Sequence, residues 1–516
     1  MMAAKQNENI RKSTRPVIAL SSILFITGIV IYFSSCSGTS VQSGSGDAAA
    51  PDVITPAGVA DGKILSQSYC RSCHMYPEPG LLNSSKWKTL LPQMGLRLGI
   101  KLFKGEDYVA TIKAPDFLAP AKPVITDEQW QHILDYYITA SPIKLPAQNR
   151  GVPITRELPF FALKTPAASF TGKRVLGSFV KIDNSVNPAR LFVGDGQSNK
   201  LFLLNDKLTV LDSVNTSGPV VNMLFNRGEI FVCTIGTELT ATSDKLGTVI
   251  ALTVSPAGKM TLSNTPIFNK LARPVQVLAA DLNGDKKTDY LVCEFGNLAG
   301  DLCWMENKGD RIFSKHLISH LPGAIKAYFD YTSKKASPDI WVLFAQGEEG
   351  IHHYINNGTG QFTEEPILRF PPIYGSSYFE MIDINHDGFK DIIYTCGDNG
   401  NATAVLKPYH GIYIFMNDKH GRYVQKYFYP LNGCYKAIAR DFDGDGNIDI
   451  ATISLFTDAR QTAEGFVYFK NTGNLNFKPY ALPPDTKFER GVTMDAGDLN
   501  ADGKTDLLIG NAFFDF

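Results

Sequence analysis

The chain of 516 residues is long enough for about three domains of ordinary size, fewer where a large all-β array takes up most of it. Hydrophobic residues make up 44% and charged residues 20%, which excludes a disordered chain; the net charge of −1 leaves no basic excess to neutralise phosphates and argues against nucleic acid as a partner. Eight cysteines in so long a chain exclude a disulfide-stapled scaffold, and 44 glycines point to many tight turns.

At the N-terminus, Lys5, Arg11, Lys12 and Arg15 precede an apolar run from Pro16 to Phe33, which ends at Ser34-Ser35-Cys36. A basic start, an apolar stretch and small residues before a cut site predict an export signal over residues 1–35. The run is also nearly long enough to span a bilayer, so an uncleaved anchor is the alternative. Phe33-Ser34-Ser35-Cys36 resembles the lipobox of bacterial lipoproteins, with Phe33 where leucine is usual, and the resemblance implies lipidation of Cys36. Residues 36–54 are rich in Ser, Gly and Ala and read as a flexible tether. Either reading puts the body of the protein outside the cytoplasm and ties it to a membrane. The expected location is periplasmic or outer-membrane in a Gram-negative bacterium, and the lack of an acidic run after Cys36 favours the periplasmic side.

Residues 55–148 are read as a small helical domain built around Cys70-Arg71-Ser72-Cys73-His74. Two thioether bonds need cysteines three apart on one turn, and the adjacent histidine then faces the iron, so C-x-x-C-H reads as attachment of one covalent haem c. The preceding segment from Gly62 to Tyr69 looks helical. Thr126 to Ser141 reads as a capped helix with Trp130, Ile133, Leu134 and Tyr137 on one face and His132 off it, facing solvent. Between Asp52 and Pro146, Met94 is the distal-ligand candidate, because Met75 adjoins the proximal histidine and cannot reach the other side of the ring. Met94 lies in Leu91-Pro92-Gln93-Met94-Gly95, a loop-like stretch; an open or histidine-ligated site is the alternative. The pattern of C-x-x-C-H, a Pro77-Glu78-Pro79 turn and a final W-x-x-I-L-x-Y-Y helix resembles a monohaem cytochrome c domain. That resemblance implies electron transfer, with His74 and Met94 as iron ligands.

From residue 149 to 516 the pattern changes to short β-branched runs between Gly, Asn and Asp turns. Four loops share D-x-[DN]-x-D-x-x-x-D, each followed by a strand-like run: Asp281, Asn283, Asp285, Asp289; Asp383, Asn385, Asp387, Asp391; Asp441, Asp443, Asp445, Asp449; and Asp498, Asn500, Asp502, Asp506. Oxygen side chains at positions 1, 3, 5 and 9 can wrap a hard cation, which predicts three to four bound Ca2+. Glycine at the sixth position permits the turn in three loops, and Lys286 in its place makes the first loop the weakest. In isolation, such residues would only build Asx-turns.

With Asp183, Asn226 and Asp330 as degenerate copies, seven anchors recur 43 to 58 residues apart. A second marker recurs at Asn307, Asn357, Asn417 and Asn471, each near an aromatic residue. Units of about 50 residues holding four strands are propeller blades. The expected fold is therefore an all-α haem domain followed by an all-β propeller of seven blades, with six or eight as the alternatives and with residues 157–175 supplying outer strands that the short C-terminus lacks. The loops resemble the FG-GAP/VCBS repeats of integrin α-chains and bacterial surface proteins, which implies a calcium-stabilised propeller and no single function.

Together these parts predict an electron carrier with a redox partner protein, whose propeller docks a partner or ligand. Two alternatives stay open: a propeller dehydrogenase passing electrons from a sugar or alcohol to the haem, and a glycan- or protein-binding module. No catalytic residue stands out. Glu294, Asn297, Asp398, Asn399 and Asn511 fall at strand ends on one expected face but read as turn residues. Cys233, Cys293, Cys303, Cys396 and Cys434 read as buried thiols, with Cys293 and Cys303 close enough in one blade to face each other.

Overall fold

A computed structural model describes residues 54–100, 120–166 and 176–512, except positions 241, 243, 298, 333–335, 401–403, 485, 487 and 489. The apolar run of residues 16–33, Cys36 and the tether lie outside the described residues, among which no helix is long and apolar enough to cross a membrane.

Three helices form first, each with a chemical start signal. α1 (Pro56–Tyr69) opens with Thr55, whose hydroxyl accepts from the Gly58 N–H, and with proline at the first helical position. α2 (Ser84–Arg97) opens with Asn83 accepting from the Lys86 N–H at 3.0 Å. α3 (Asp127–Ala140) carries a full capping box between Thr126 and Gln129, followed by Asp127 and Glu128 against the positive end of the helix. Leu82, Trp87, Leu91, Trp130, Ile133 and Tyr137 are buried in one cluster between the helices, with the Trp87 and Tyr137 rings 4.5 Å apart. α1 lies directly on α3: a Cβ on Gly62 would come within 1.9 Å of the His132 carbonyl oxygen, so only glycine allows the approach.

Two sequence expectations are corrected here. Leu91 to Gly95 is the last part of α2, not a loop; Pro92 sits inside the helix and gives up one backbone bond there. His132 is half-buried rather than solvent-facing, because it packs on α1 where Gly58 leaves room.

The remaining strands build a β-propeller. Sheets of consecutive antiparallel strands span residues 177–215, 220–271, 274–319, 324–369, 376–430 and 434–481, and these are blades one to six. Blade two gains a fifth strand, Phe268–Leu271, which pairs with Gly247–Val254. The second strand of blades three to six (Asp289–Glu294, Asp339–Phe344, Asp391–Cys396, Asp449–Ser454) is buried along its whole length. Both its faces meet neighbouring blades, which is why the residues after each leading Asp are mostly apolar rather than alternating. Outer strands such as Phe362–Arg369 carry exposed charges that protect the sheet edge.

The ring has six blades, not seven. Asp498, the seventh anchor, belongs among the described residues to a two-stranded hairpin, Gly491–Gly497 with Asp506–Asn511. The hairpin stands between blades six and one: Asp495 accepts from the Ile182 N–H at 2.8 Å and pairs with Lys181 at 3.0 Å. The expected outer strands do not come from residues 157–166, which form none, and residues 167–175 lie outside the described ones. Instead Thr155 bridges Tyr480 in parallel and extends blade six.

From residue 54 onward the chain packs as one unit. Ile373 and Val405, from loops of the propeller, join the helical core cluster, and the Tyr409 hydroxyl donates to the Leu81 carbonyl at 3.0 Å. The connecting segment is fixed by Arg150, which forks onto Glu464 at 2.7 Å through both terminal nitrogens.

Candidate functional sites

The cysteine motif continues from the end of α1 as a single tight turn, Cys70–Ser72. Cys70 is half-buried against the helical cluster, which pushes its thiol up to about 11, whereas Cys73 is exposed. His74 Nδ1 lies 2.9 Å from the Met75 carbonyl. A carbonyl only accepts, so Nδ1 carries the proton and Nε2 keeps its lone pair for a metal. The following turn is clamped by Tyr137, which donates to the Pro77 carbonyl at 2.8 Å, and by Trp87, which donates to the Pro79 carbonyl at 2.8 Å. Met94, half-buried on α2, packs on the same cluster as Cys70. Trp130 Nε1 is buried with no hydrogen-bond partner among the described residues. Two free thiols on one turn, an imidazole with a free Nε2 and an unpartnered buried donor nearby fit a covalently held haem.

The four acidic loops share one backbone design. The first Asp receives two loop N–H groups: Gly284 and Lys286 on Asp281 (2.7 and 2.8 Å), Asp387 and Gly388 on Asp383 (3.0 and 2.8 Å), Gly444 and Gly446 on Asp441 (2.8 and 2.9 Å), Asp502 and Gly503 on Asp498 (3.2 and 2.9 Å). The third and fifth residues cap turns of their own, Asn283, Asn385, Asp443 and Asn500 on the fifth N–H and Asp285, Asp387, Asp445 and Asp502 on the seventh. The turn reading thus holds in every loop, and it is compatible with metal binding because each carboxylate has further lone pairs. Lys286 takes the left-handed φ of 67° that glycine takes in the other loops, so its loop folds like them.

The ninth residue does something different. Asp289, Asp391 and Asp449 are fully buried, and each accepts from the second loop N–H (Leu282, Ile384, Phe442) and from an N–H of the third strand (Asn307, Asn417, Asn471). Burial pushes these carboxyls above their ordinary range. Asp506 is half-buried and accepts from the Leu499 N–H at 3.0 Å. The recurring Asn marker is therefore the third-strand partner of this staple, at Asn356 rather than Asn357 in blade four, where it meets Asp339.

Among the described residues, Asp441, Asp443 and Asp449 form the one set of acidic, histidine or cysteine side chains whose ligand atoms lie within 4.8 Å of one another. Lys470, from the third strand of that blade, places its ammonium on Asp443 and 3.2 Å from Asp445. The matching position before the Asn marker is Glu306 at the first loop, where it meets the Asn283 amide at 3.2 Å, and Met416 at the second.

The strand-end polar residues do not converge. Glu294 is buried in a local pair with Lys315 at 2.5 Å and accepts from the Ala272 N–H; Asp398 caps Gly400, and Asn399 bonds Val405 and Lys407. Asn297 and Asn511 are half-buried, and no hydrogen bond joins them to the others. All five propeller cysteines are buried and unpaired, and Cys293 and Cys303 lie on opposite faces of blade three, in register with Leu302 and Val292 respectively.

Residues 337–394 and 441–509 match the FG-GAP-like repeat family, windows that contain three of the four acidic loops. No curated protein matches the sequence. Among solved structures, the chain is similar to an ancestral GH74 enzyme at 12% identity and a TM-score of 0.44, covering 66% of this chain and 47% of that one, so it spans about half the enzyme's length. It is similar to a Lactobacillus plantarum protein at 12% identity and TM-score 0.39, covering 58% and 84% of the two chains. Saccharomyces cerevisiae Sqt1 is similar at 11% identity and TM-score 0.42, covering 66% and 94%. The chain carries FG-GAP-like repeats on a β-propeller.

Proposed function

We propose that this is an exported c-type haem protein that transfers electrons, tethered to a membrane through Cys36 or the apolar run of residues 16–33, with a calcium-loaded propeller that docks a redox partner. The observation that carries the reading is the turn at Cys70–His74, where both thiols are free and the Nδ1 bond to Met75 leaves Nε2 for iron. A haem held there would supply one-electron exchange near the surface. Cys70 and Cys73 would anchor it, His74 would bind from one side, and Met94 is the proposed distal donor. Tyr137 and Trp87 hold the chain after the motif, which keeps the His74 ring in place. Calcium would sit on carboxylate and amide oxygens of the first, third and fifth residues of the loops, with the buried ninth carboxylate bracing the turn.

The test is the visible spectrum of protein purified from an export-competent host, followed while sugars, alcohols and chemical reductants are added one at a time. Reduction by chemical or protein reductants but by no sugar or alcohol is the expected result. Loss of covalent haem in Cys70→Ala/Cys73→Ala would confirm attachment, and an unchanged spectrum in Met94→Ala would remove Met94 as ligand. Turnover of a sugar or alcohol with an external acceptor would replace the carrier with a dehydrogenase.

A further inference from the structure

The first strands of the blades and of the hairpin line the axis of the ring, and their polar side chains form a network that the haem and calcium readings leave unused. Most of it links one strand to the next: Asn222 accepts from the Val277 N–H, Gln276 from Ala327, Glu380 from Ala439 and Asp495 from Ile182. The two carboxylates are further committed, Glu380 to Arg440 at 2.7 Å and Asp495 to Lys181 at 3.0 Å.

Two lysines break the pattern. Lys326 of blade four has its Nζ 4.6 Å from the Tyr328 ring centre and 5.6 Å from that of Tyr378. Among the described residues it meets no carboxylate within ion-pair distance and no hydrogen-bond acceptor. Lys436 of blade six approaches the same Tyr378 ring at 4.9 Å and donates only to the Met494 carbonyl at 2.7 Å. Two ammonium groups thus share one aromatic ring, and burial, with the repulsion from Lys436 added, brings Lys326 down to about 8. Both residues are half-buried rather than fully enclosed. An ammonium has three donors, and enclosing it without an acceptor is costly. Tyr378 adds a hydroxyl beside them, 3.2 Å from that of Tyr328, which itself donates to the Phe379 carbonyl.

We propose that a small oxyanion, a carboxylate or a phosphate, binds at the axis of the ring between Lys326 and Lys436. Such a ligand would supply the missing acceptors and neutralise the excess positive charge with charge-assisted bonds. This site would make the propeller a receptor for a small anion, independent of electron transfer.

The experiment titrates the full chain with inorganic phosphate and, separately, with succinate, by calorimetry at constant ionic strength held with chloride. One-to-one binding of either anion is expected, weakened at least about tenfold in Lys326→Gln/Lys436→Gln and unchanged in Lys478→Gln on the exposed outer surface. Lys326→Arg, which keeps the charge, should retain binding and serves if the double variant does not fold by circular dichroism. Phosphate binding alone would assign a phosphate site, and succinate alone a carboxylate site. Failure of both anions to bind the native chain, or equal binding in the folded double variant, would overturn the proposal.

Discussion

Lys470 and Glu306 occupy the same place in two blades and carry opposite charge, so the acidic loops are not equivalent. At residues 441–449 the ammonium of Lys470 already sits on the carboxylates that a cation would need. At residues 281–289, Glu306 brings one more oxygen toward the loop, where sequence alone marked the site as weakest. Lys470→Met should therefore tighten binding at its own loop by about tenfold, since a competing unit charge worth about 1.4 kcal/mol is removed. Glu306→Gln should loosen the first loop and leave the third unchanged. Terbium luminescence with each variant reads both, and an unaltered titration in Lys470→Met would show that the lysine swings away when metal arrives. The loop residues themselves were legible because Asx-turn chemistry is local. The roles of Lys470, Glu306 and the ninth Asp were not, because they arise from which residue of a distant strand faces the loop.

Buried Glu349 offers a second residue-scale test. It accepts from the Ser376 N–H at 2.9 Å and hydroxyl at 2.6 Å, yet burial pushes its carboxyl up to about 7. Unfolded, it would titrate at the ordinary glutamate value of 4.5, so the folded chain holds the proton more tightly between those values. Its contribution is fully present at low pH and is lost as pH rises through about 7, the reverse of a salt-bridged carboxylate. Urea unfolding from pH 4.5 to 7.5 should show that Glu349→Gln removes this downward slope, and a difference that stays constant with pH would refute the assignment.

At the scale of elements, helix α1 depends on Gly62 more than on its own apolar pattern. Gly62→Ala must push α1 off α3, because its Cβ would meet the His132 carbonyl at 1.9 Å. A cost of about 2–3 kcal/mol is expected from such overpacking. Denaturation of the variant should show it, together with weaker haem retention if the motif at the end of α1 shifts. The capped helix α3 and the motif helix were legible from caps and periodicity. α2 was not, because Pro92 and Gly95 read as breakers while Trp87 and Leu91 hold that helix in place by packing. Blade number failed for a related reason. Each anchor marks the loop after a first strand, so counting anchors counts inner strands, and Asp498 is followed by one strand among the described residues.

For the molecule as a whole, the question is what couples the helical unit to the ring. Tyr409 reaches Leu81 across the contact and Ile373 enters the helical core, while the connecting segment is held by Gln148, which donates to the Lys407 and His410 carbonyls, by the Val152 carbonyl, which accepts from the Tyr429 hydroxyl, and by one ion pair. Arg150 forks onto Glu464, gives its Nε–H to the Pro430 carbonyl and lies over the Tyr429 ring. Glu464 is buried, so Arg150→Met would leave its carboxylate without a counter-charge, at a cost of about 3 kcal/mol. The double change Arg150→Met/Glu464→Gln removes that uncompensated charge and should recover most of the loss. In the single variant, the melting temperature should fall by a few degrees and protease should cut first between residues 142 and 166, beside the altered contact. Cleavage that begins instead inside the blades would show that the pair stabilises the ring itself, and that the helical unit is held by its other contacts, those of Tyr409, Ile373, Val405 and Gln148.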